Sequence, residues 1–167
     1  EIDVLINNAG QLVDHDFRES APDPDASDTA IYANLSAPIR LIVGLMATLR
    51  ARPEAAIVNV TSGLAIAPAA ASPVYCATKA GLRFYTLALR AQLADTKIHV
   101  IEALPPVVDT QMNAGRDAKK MSPAECARQI VDALEKNRDE ANIGMTKALR
   151  VMEGIHPSLA KRVTLKF

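Results

Sequence analysis

The stretch IVNVTSGLAIAPAAASPVYCATKAGLRFYTLALR, residues 57–90, sets the architecture. It opens with Ile57-Val58-Asn59-Val60, a short β-branched run closed by Thr61-Ser62-Gly63, the length and punctuation of a strand buried on both faces. A loop of small residues, Leu64–Ser72, leads to Pro73, which suits a helix's first turn because an N–H there has no intrahelical partner. From Pro73 to about Leu93 good helix formers predominate (Ala, Leu, Arg, Gln), and a helix is predicted throughout. A buried strand followed by a long helix is the repeating half of a parallel α/β sheet.

The flanks repeat that pattern. Downstream, His99–Ala103 is a third strand bounded by Lys97 and Pro105-Pro106, and residues 105–121 form a long loop carrying Gly115. Ser122-Pro123-Ala124-Glu125 has the form of a capping box and opens a helix to about Asn137. Ala141–Gly144 reads as a short fourth strand, and Lys147–Val163 as a basic helix interrupted at Pro157. Upstream, Ile2–Asn7 is an apolar strand ended by Asn7-Asn8-Ala9-Gly10, and residues 11–28, rich in Asp and Pro, are predicted to be a loop. From Thr29 to Arg50 the residues Ile31, Leu35, Ile39, Ile42, Val43, Met46 and Leu49 recur at helical spacing. Pro38, inside that pattern, is predicted to bend the helix or leave one hydrogen bond unmade. Strands alternating with helices in this order predict an α/β fold with a parallel sheet, right-handed crossovers and helices on its faces.

Composition narrows the function. The 167 residues suit a single domain, and 49% hydrophobic with 23% charged residues excludes disordered and fibrous classes. Nineteen basic residues balance nineteen acidic ones, which argues against nucleic acid or an anionic membrane surface as partner. No apolar run approaches 18 residues, so no bilayer-spanning segment is predicted. Cys76 and Cys126, with no CxxC pattern, read as free thiols of a reducing, cytoplasmic compartment. Cys76 is read as a small buried filler, and His15, His99 and His156 have no ligand partners in sequence, so no metal site is assigned.

In parallel sheets, ligands bind outside the carboxyl ends of the strands. The residues there are Asn7-Asn8-Ala9-Gly10, Thr61-Ser62-Gly63 and Pro105–Thr110, with Asn34, Tyr75 and Lys79 supplied by the helices. Tyr75 and Lys79, four apart, share one helical face. An ammonium held near a phenol favours the phenolate, so the Tyr75 pKa is expected to lie below the ordinary value near 10. A phenol so tuned can give or take a proton near neutral pH, as carbonyl/alcohol interconversion requires. Ser62 can orient the carbonyl oxygen. A Tyr-x-x-x-Lys pair alone is common by chance; a Ser thirteen positions earlier at a strand tip, with Asn34 and the Asn-Asn-Ala-Gly turn, is not.

On these residues the chain resembles the short-chain dehydrogenase/reductase family. The matching motifs are Asn7-Asn8-Ala9-Gly10, Asn34 in Ala33-Asn34-Leu35-Ser36, Ser62 in Asn59-Val60-Thr61-Ser62, Tyr75-Cys76-Ala77-Thr78-Lys79 and Pro105-Pro106-Val107-Val108-Asp109-Thr110. The segment Leu104–Thr110 with Met121-Ser122-Pro123 is most similar to the DltE-like subgroup. The resemblance implies an oxidoreductase transferring hydride between NADP or NAD and a small carbonyl or alcohol. Tyr75 would be the general acid/base, and Lys79 would lower its pKa and hold the nicotinamide ribose. Ser62 would bind the substrate oxygen, and Asn34 would hold a water linking Lys79 to solvent. Asn8, Ala9 and Gly10 would pass under the cofactor, Pro105, Val108 and Thr110 would contact its carboxamide end, and residues 105–121 would form the substrate and cofactor loop. The helices over 29–50 and 73–93 would make the contacts of a dimer.

Two departures stand out. Pro106 replaces the family's usual Gly, removing a backbone donor. The family's Gly-x-x-x-Gly-x-Gly phosphate loop is absent, since the seven glycines, at 10, 44, 63, 81, 115, 144 and 154, never cluster in threes. The resemblance therefore places residues 1–167 as the C-terminal portion of a Rossmann domain, strands four to seven of the doubly wound fold. Ile2–Asn7 is then expected to be an open apolar edge, and the chain alone to self-associate and to turn over weakly or not at all. The rival reading is a non-catalytic truncated chain that only self-associates or binds partners. A hydrolase using Ser62 is disfavoured, because Val60-Thr61 stand where a Gly-x-Ser-x-Gly elbow needs Gly, with no paired His.

Overall fold

In the computed structural model, which describes residues 1–19 and 23–166, Ala55–Val60 (β2) has all six residues buried and is flanked on both edges. Val4–Asn7 (β1) lies on one side, Ile98–Leu104 (β3) on the other, and Glu140–Asn142 (β4) beyond β3. The order is β1-β2-β3-β4 and every pairing is parallel, so the chain forms the expected partial Rossmann-like sheet with helices on its faces.

Alternation along the strands divides the core in two. Ala55, Ile57, Ile98 and Val100 face Ile42 and Leu49 of α2 (Ala37–Arg50) and Leu89 and Leu93 of α3 (Pro73–Leu93). Val58, Val60, Ile101 and Ala103 face Cys126 and Ala133 of α4 (Pro123–Glu135), with Ala141 and Ile143. Burying each Ile, Leu or Val side chain contributes about 1.5–3 kcal/mol, so these two layers fix the strand register.

Several boundaries differ from the sequence reading. The segment predicted as loop over 11–28 already contains the helix α1, Pro24–Ile31. The Asp23 carboxylate accepts from Asp25 N at 3.0 Å and Pro24 occupies the first turn, so an N-cap and N1 proline were mistaken for loop punctuation. A π-helical turn, Tyr32–Ser36, joins α1 to α2, with Ala37 N–H donating to the Tyr32 carbonyl, and Pro38 sits in the first turn of α2. The expected disturbance at Pro38 thus takes the form of a widened turn just before it. β1 begins two residues later than expected, at Val4, and β2 two earlier, at Ala55. β3 gains a residue at each end, and the fourth strand is Glu140–Asn142 in place of 141–144. Gly144 instead turns with φ +54°, its α-hydrogen side closed off by Met121 and Pro106. The C-terminal helix divides at Pro157 as expected, into α5 (Thr146–Ile155) and α6 (Pro157–Thr164).

The continuous helical stretch Pro24–Arg50 is long and apolar enough to cross a bilayer by length and composition alone, a test that a helix covering a sheet also passes. In the fold its buried face covers the sheet through Ile42 and Leu49, while Ile31, Leu41 and Val43 remain exposed.

Candidate active site at the carboxyl ends of the strands

The strand tips converge where the motifs lie. Ser62 follows β2 in extended backbone, buried, its Oγ accepting from Leu64 N at 3.1 Å as it caps the 3₁₀ turn Gly63–Ala65. Gly63 N–H donates to the Pro105 carbonyl at 3.1 Å, fastening this turn to the end of β3. A Cβ at Gly63 would approach Thr146 Oγ1 to 3.1 Å, so α5 closes tightly behind the serine.

Tyr75 and Lys79 rise from the first two turns of α3. Lys79 Nζ, in a residue only 4% exposed, donates to the Val60 carbonyl at 2.8 Å and lies 5.7 Å from the centroid of the Tyr75 ring. Asn34, fully buried in the widened turn, is held by its side chain: Oδ1 accepts from Gln11 N at 2.7 Å, and Nδ2 donates to the Gln11 carbonyl at 2.8 Å and Thr78 Oγ1 at 3.1 Å. Gln11 and Thr78 thus engage both ends of the Asn34 amide. Gln11, Thr78 and the Val60 carbonyl escaped the sequence reading. Thr78 lies within the Tyr-x-x-x-Lys motif and could have been found there; the other two act through main-chain atoms, which leave no residue-type signal.

The electrostatics depart from expectation. The Tyr75 pKa is raised, not lowered: burial of the phenol outweighs the Ser62 hydroxyl and the Arg116 guanidinium, which pull it down, and Cys76 adds to the rise. Lys79 is not among the groups that move it. Burial acts on the ammonium too, pulling Lys79 from 10.5 down to about 8. The expectation weighed the ammonium's charge and left out burial, which acts on both groups.

The Lys79 shift has a consequence for stability. An unfolded lysine binds its proton up to 10.5 and the folded one only to about 8. Between those values the unfolded state holds more protons, so Lys79 makes stability rise with pH; below about 8 its desolvation cost is present in full. Lys79→Met should flatten that rise in chemical denaturation series spanning the window, removing about 3 kcal/mol of pH-dependent free energy. A variant that keeps the wild-type slope would show that Lys79 is not desolvated.

Asn8 and Ala9 are exposed at the tip of β1, and Gly10 is half-buried next to the cluster. A Cβ on Gly10 would come within 3.1 Å of Asn34 Oδ1 and 3.5 Å of Lys79 Nζ, so its bare backbone leaves a cradle over the ammonium. Pro105 and Val108 are half-buried and Thr110 exposed on the opposite rim, where Val108 bridges to Met121 and pins the base of loop 105–121. Asp14 accepts from Ser72 Oγ and pairs with Arg116, tying three loops together around Tyr75. Cys76 is buried, its thiol pushed up by burial and facing the Ala69 backbone, which makes it packing and not a nucleophile. Two open hollows, of about 530 and 810 Å³, lie at the other ends of the strands around Pro53, Thr96, Lys97 and Ile98, away from every one of these groups.

Residues 1–121 match the family model described as short chain dehydrogenase. The chain is 39% identical over 155 residues to the uncharacterized oxidoreductase DltE of Bacillus subtilis (strain 168), covering 89% of this chain and 62% of that protein. It is also similar to a short chain dehydrogenase from Burkholderia cenocepacia J2315 solved in complex with NADP, at TM-score 0.90 and 27% identity over 98% of this chain and 71% of that one. A short-chain dehydrogenase from Sphingobium yanoikuyae, in complex with NADPH, shares the fold at TM-score 0.79, 24% identity, 95% of this chain and 64% of that one. The chain thus spans about three-fifths of the length of the curated relatives it matches.

Proposed function

The chain belongs to the short-chain dehydrogenase/reductase family, and from that footing we propose that it carries the substrate-side half of an NAD(P)-dependent oxidoreductase acting on a small carbonyl or alcohol. The observation that carries this reading is the convergence of Ser62, Tyr75, Lys79 and Asn34, from three separate elements, beside the side-chain-free backbone of Gly10. Bound NADP or NAD supplies or receives the hydride. Lys79 and the Gly10 cradle hold the nicotinamide ribose, with Asn8 and Ala9 below it and Pro105, Val108 and Thr110 at the carboxamide end. Ser62 holds the substrate oxygen by hydrogen bonding. Tyr75 gives that oxygen a proton during reduction and removes it during oxidation. A raised phenol pKa keeps Tyr75 protonated at neutral pH, which favours the reducing direction.

The residues present fit the nicotinamide end of the cofactor, while a glycine-rich pyrophosphate turn is not among the 167 residues, so turnover by this chain alone is expected to be weak. The exposed apolar side chains Leu41 and Val43 of α2 and Phe84 of α3 suit self-association through these helices. A non-catalytic product that only self-associates or binds partners is the second reading, and the open apolar strand β1 favours it. Thermal melts with NADPH and NADH separate the two. The catalytic reading expects stabilisation that grows with nucleotide, by up to about 2.7 kcal/mol at a hundred times Kd. No shift with either nucleotide up to millimolar concentration, together with no detectable oxidation of NADPH or NADH, would leave the non-catalytic reading.

A further inference from the structure

A polar row crosses the sheet at one register, with Asn7 beside Asn59, Asn59 beside Glu102 and Glu102 beside Glu140. The row turns toward α3: Asn59 Nδ2 donates to Thr86 Oγ1 at 2.9 Å, and Arg83 pairs with Glu102 and, at 3.1 Å, with Glu140. Glu102 is fully buried, and its two oxygens have different partners. Oε1 accepts from Thr61 Oγ1 at 2.7 Å, and Oε2 accepts from Arg83 Nη1.

Stability alone is a poor account of this carboxylate. Desolvating two charges costs several kcal/mol per ion, and a buried pair is often no better than apolar side chains of similar volume. Position supplies a better one. Thr61 immediately precedes Ser62, and Arg83 lies one turn beyond Lys79 and two beyond Tyr75 on the same stripe of α3. One side chain therefore grips both elements that carry the proposed chemistry, the end of β2 and the inner face of α3. Thr61 N–H donates to the Ala103 carbonyl at 2.8 Å, which keeps the strand paired; the Thr61 hydroxyl lies 3.2 Å from that carbonyl and closer, at 2.7 Å, to Glu102 Oε1.

We propose that Glu102 is a positioning residue: through Thr61 it sets the Ser62 turn, and through Arg83 it sets the rotation of α3, so that the Ser62 and Tyr75 hydroxyls meet. Its catalytic meaning rests on the oxidoreductase reading, but its geometry does not. The groups that shift the Tyr75 phenol are Ser62 from the end of β2, Arg116 from the loop after β3, and Cys76 from α3 itself, while Lys79 faces the ring at 5.7 Å without moving it; of these, Ser62 is the one that Glu102 reaches through Thr61.

The chain has no Trp and three Tyr, so tyrosinate absorbance is readable, and subtracting the Tyr75→Phe trace isolates Tyr75. Stopped-flow pH jumps on the full chain record it before alkaline unfolding. Thr61→Val, Glu102→Gln and the control Ser62→Ala should each move the Tyr75 midpoint upward by roughly half to one pH unit, and Thr61→Ser should restore it. Should Glu102→Gln not fold, the Thr61 pair carries the test, because it leaves the Glu102–Arg83 contact in place. A midpoint unmoved by Thr61→Val while Ser62→Ala shifts it overturns the proposal, as does a lowered melting temperature with no change in midpoint. A chain that binds neither NADPH nor NADH, yet still shows the shift and its rescue, would sink the oxidoreductase reading and leave the positioning role standing.

Discussion

Tyr75→Phe is expected to lower the rate of carbonyl reduction by about 10²- to 10⁴-fold, the range that a positioned general acid supplies. Phenylalanine keeps the ring, its packing on α3 and its place above Lys79, and loses only the hydroxyl. Nucleotide-dependent stabilisation should therefore survive in the variant. Because burial raises the Tyr75 pKa, the wild-type reduction rate should hold level through neutral pH and fall only in the alkaline range, while alcohol oxidation should climb with pH toward the same limb. Initial rates at saturating nucleotide give the comparison as a ratio, so a low absolute rate suffices provided that it exceeds background. A variant that keeps a tenth or more of the wild-type rate would remove Tyr75 from the chemistry.

The second large effect concerns β1. Among the described residues this strand pairs only with β2, and Val4 and Ile6, on the same sheet face as Val58, are 41% and 51% exposed at the edge that α4 leaves uncovered. A free row of backbone donors and acceptors beside apolar side chains is a template for pairing with another chain. The purified 167-residue chain is accordingly expected to sediment as associated species. Replacing both Val4 and Ile6 with Lys should disperse it. Covering two such side chains is worth roughly 3–6 kcal/mol, so losing that contact should weaken association by about a hundredfold or more. Sedimentation velocity across a concentration series reads this directly. A wild-type chain that stays monomeric and melts cooperatively would show that the edge is protected.

How much of this was legible in the sequence follows from which forces act locally. The helix Pro73–Leu93 was placed closely, because composition and a first-turn proline agree. The capping box likewise marked α4, with Ser122 Oγ accepting from Glu125 N at 3.2 Å. The strands were found but misjudged by one or two residues at their ends, since pairing with neighbours decides where a strand begins. α1 was missed because Asp and Pro signal both a loop and a helix start. At the site, spacing was enough to nominate Ser62, Tyr75 and Lys79 together with Asn34. What spacing could not convey is dielectric: whether an ammonium and a phenol share water or a dry interior, which reversed the expected direction at Tyr75. Glu102 was passed over for a related reason, since in one dimension a glutamate in an apolar run is only an interruption.

The five-residue turn at Tyr32–Ser36 makes chain length itself informative. It contains one more residue than a regular coil of the backbone needs, and that surplus turns Asn34 inward to Gln11 and Thr78. Removing a single residue there would let the turn rewind to a regular helix with its flanks still in phase, so the buried Ala30 and Ile42 would keep their seats. What would be lost is the inward display of Asn34, so a one-codon deletion would spare the scaffold and remove the contacts to Gln11 and Thr78.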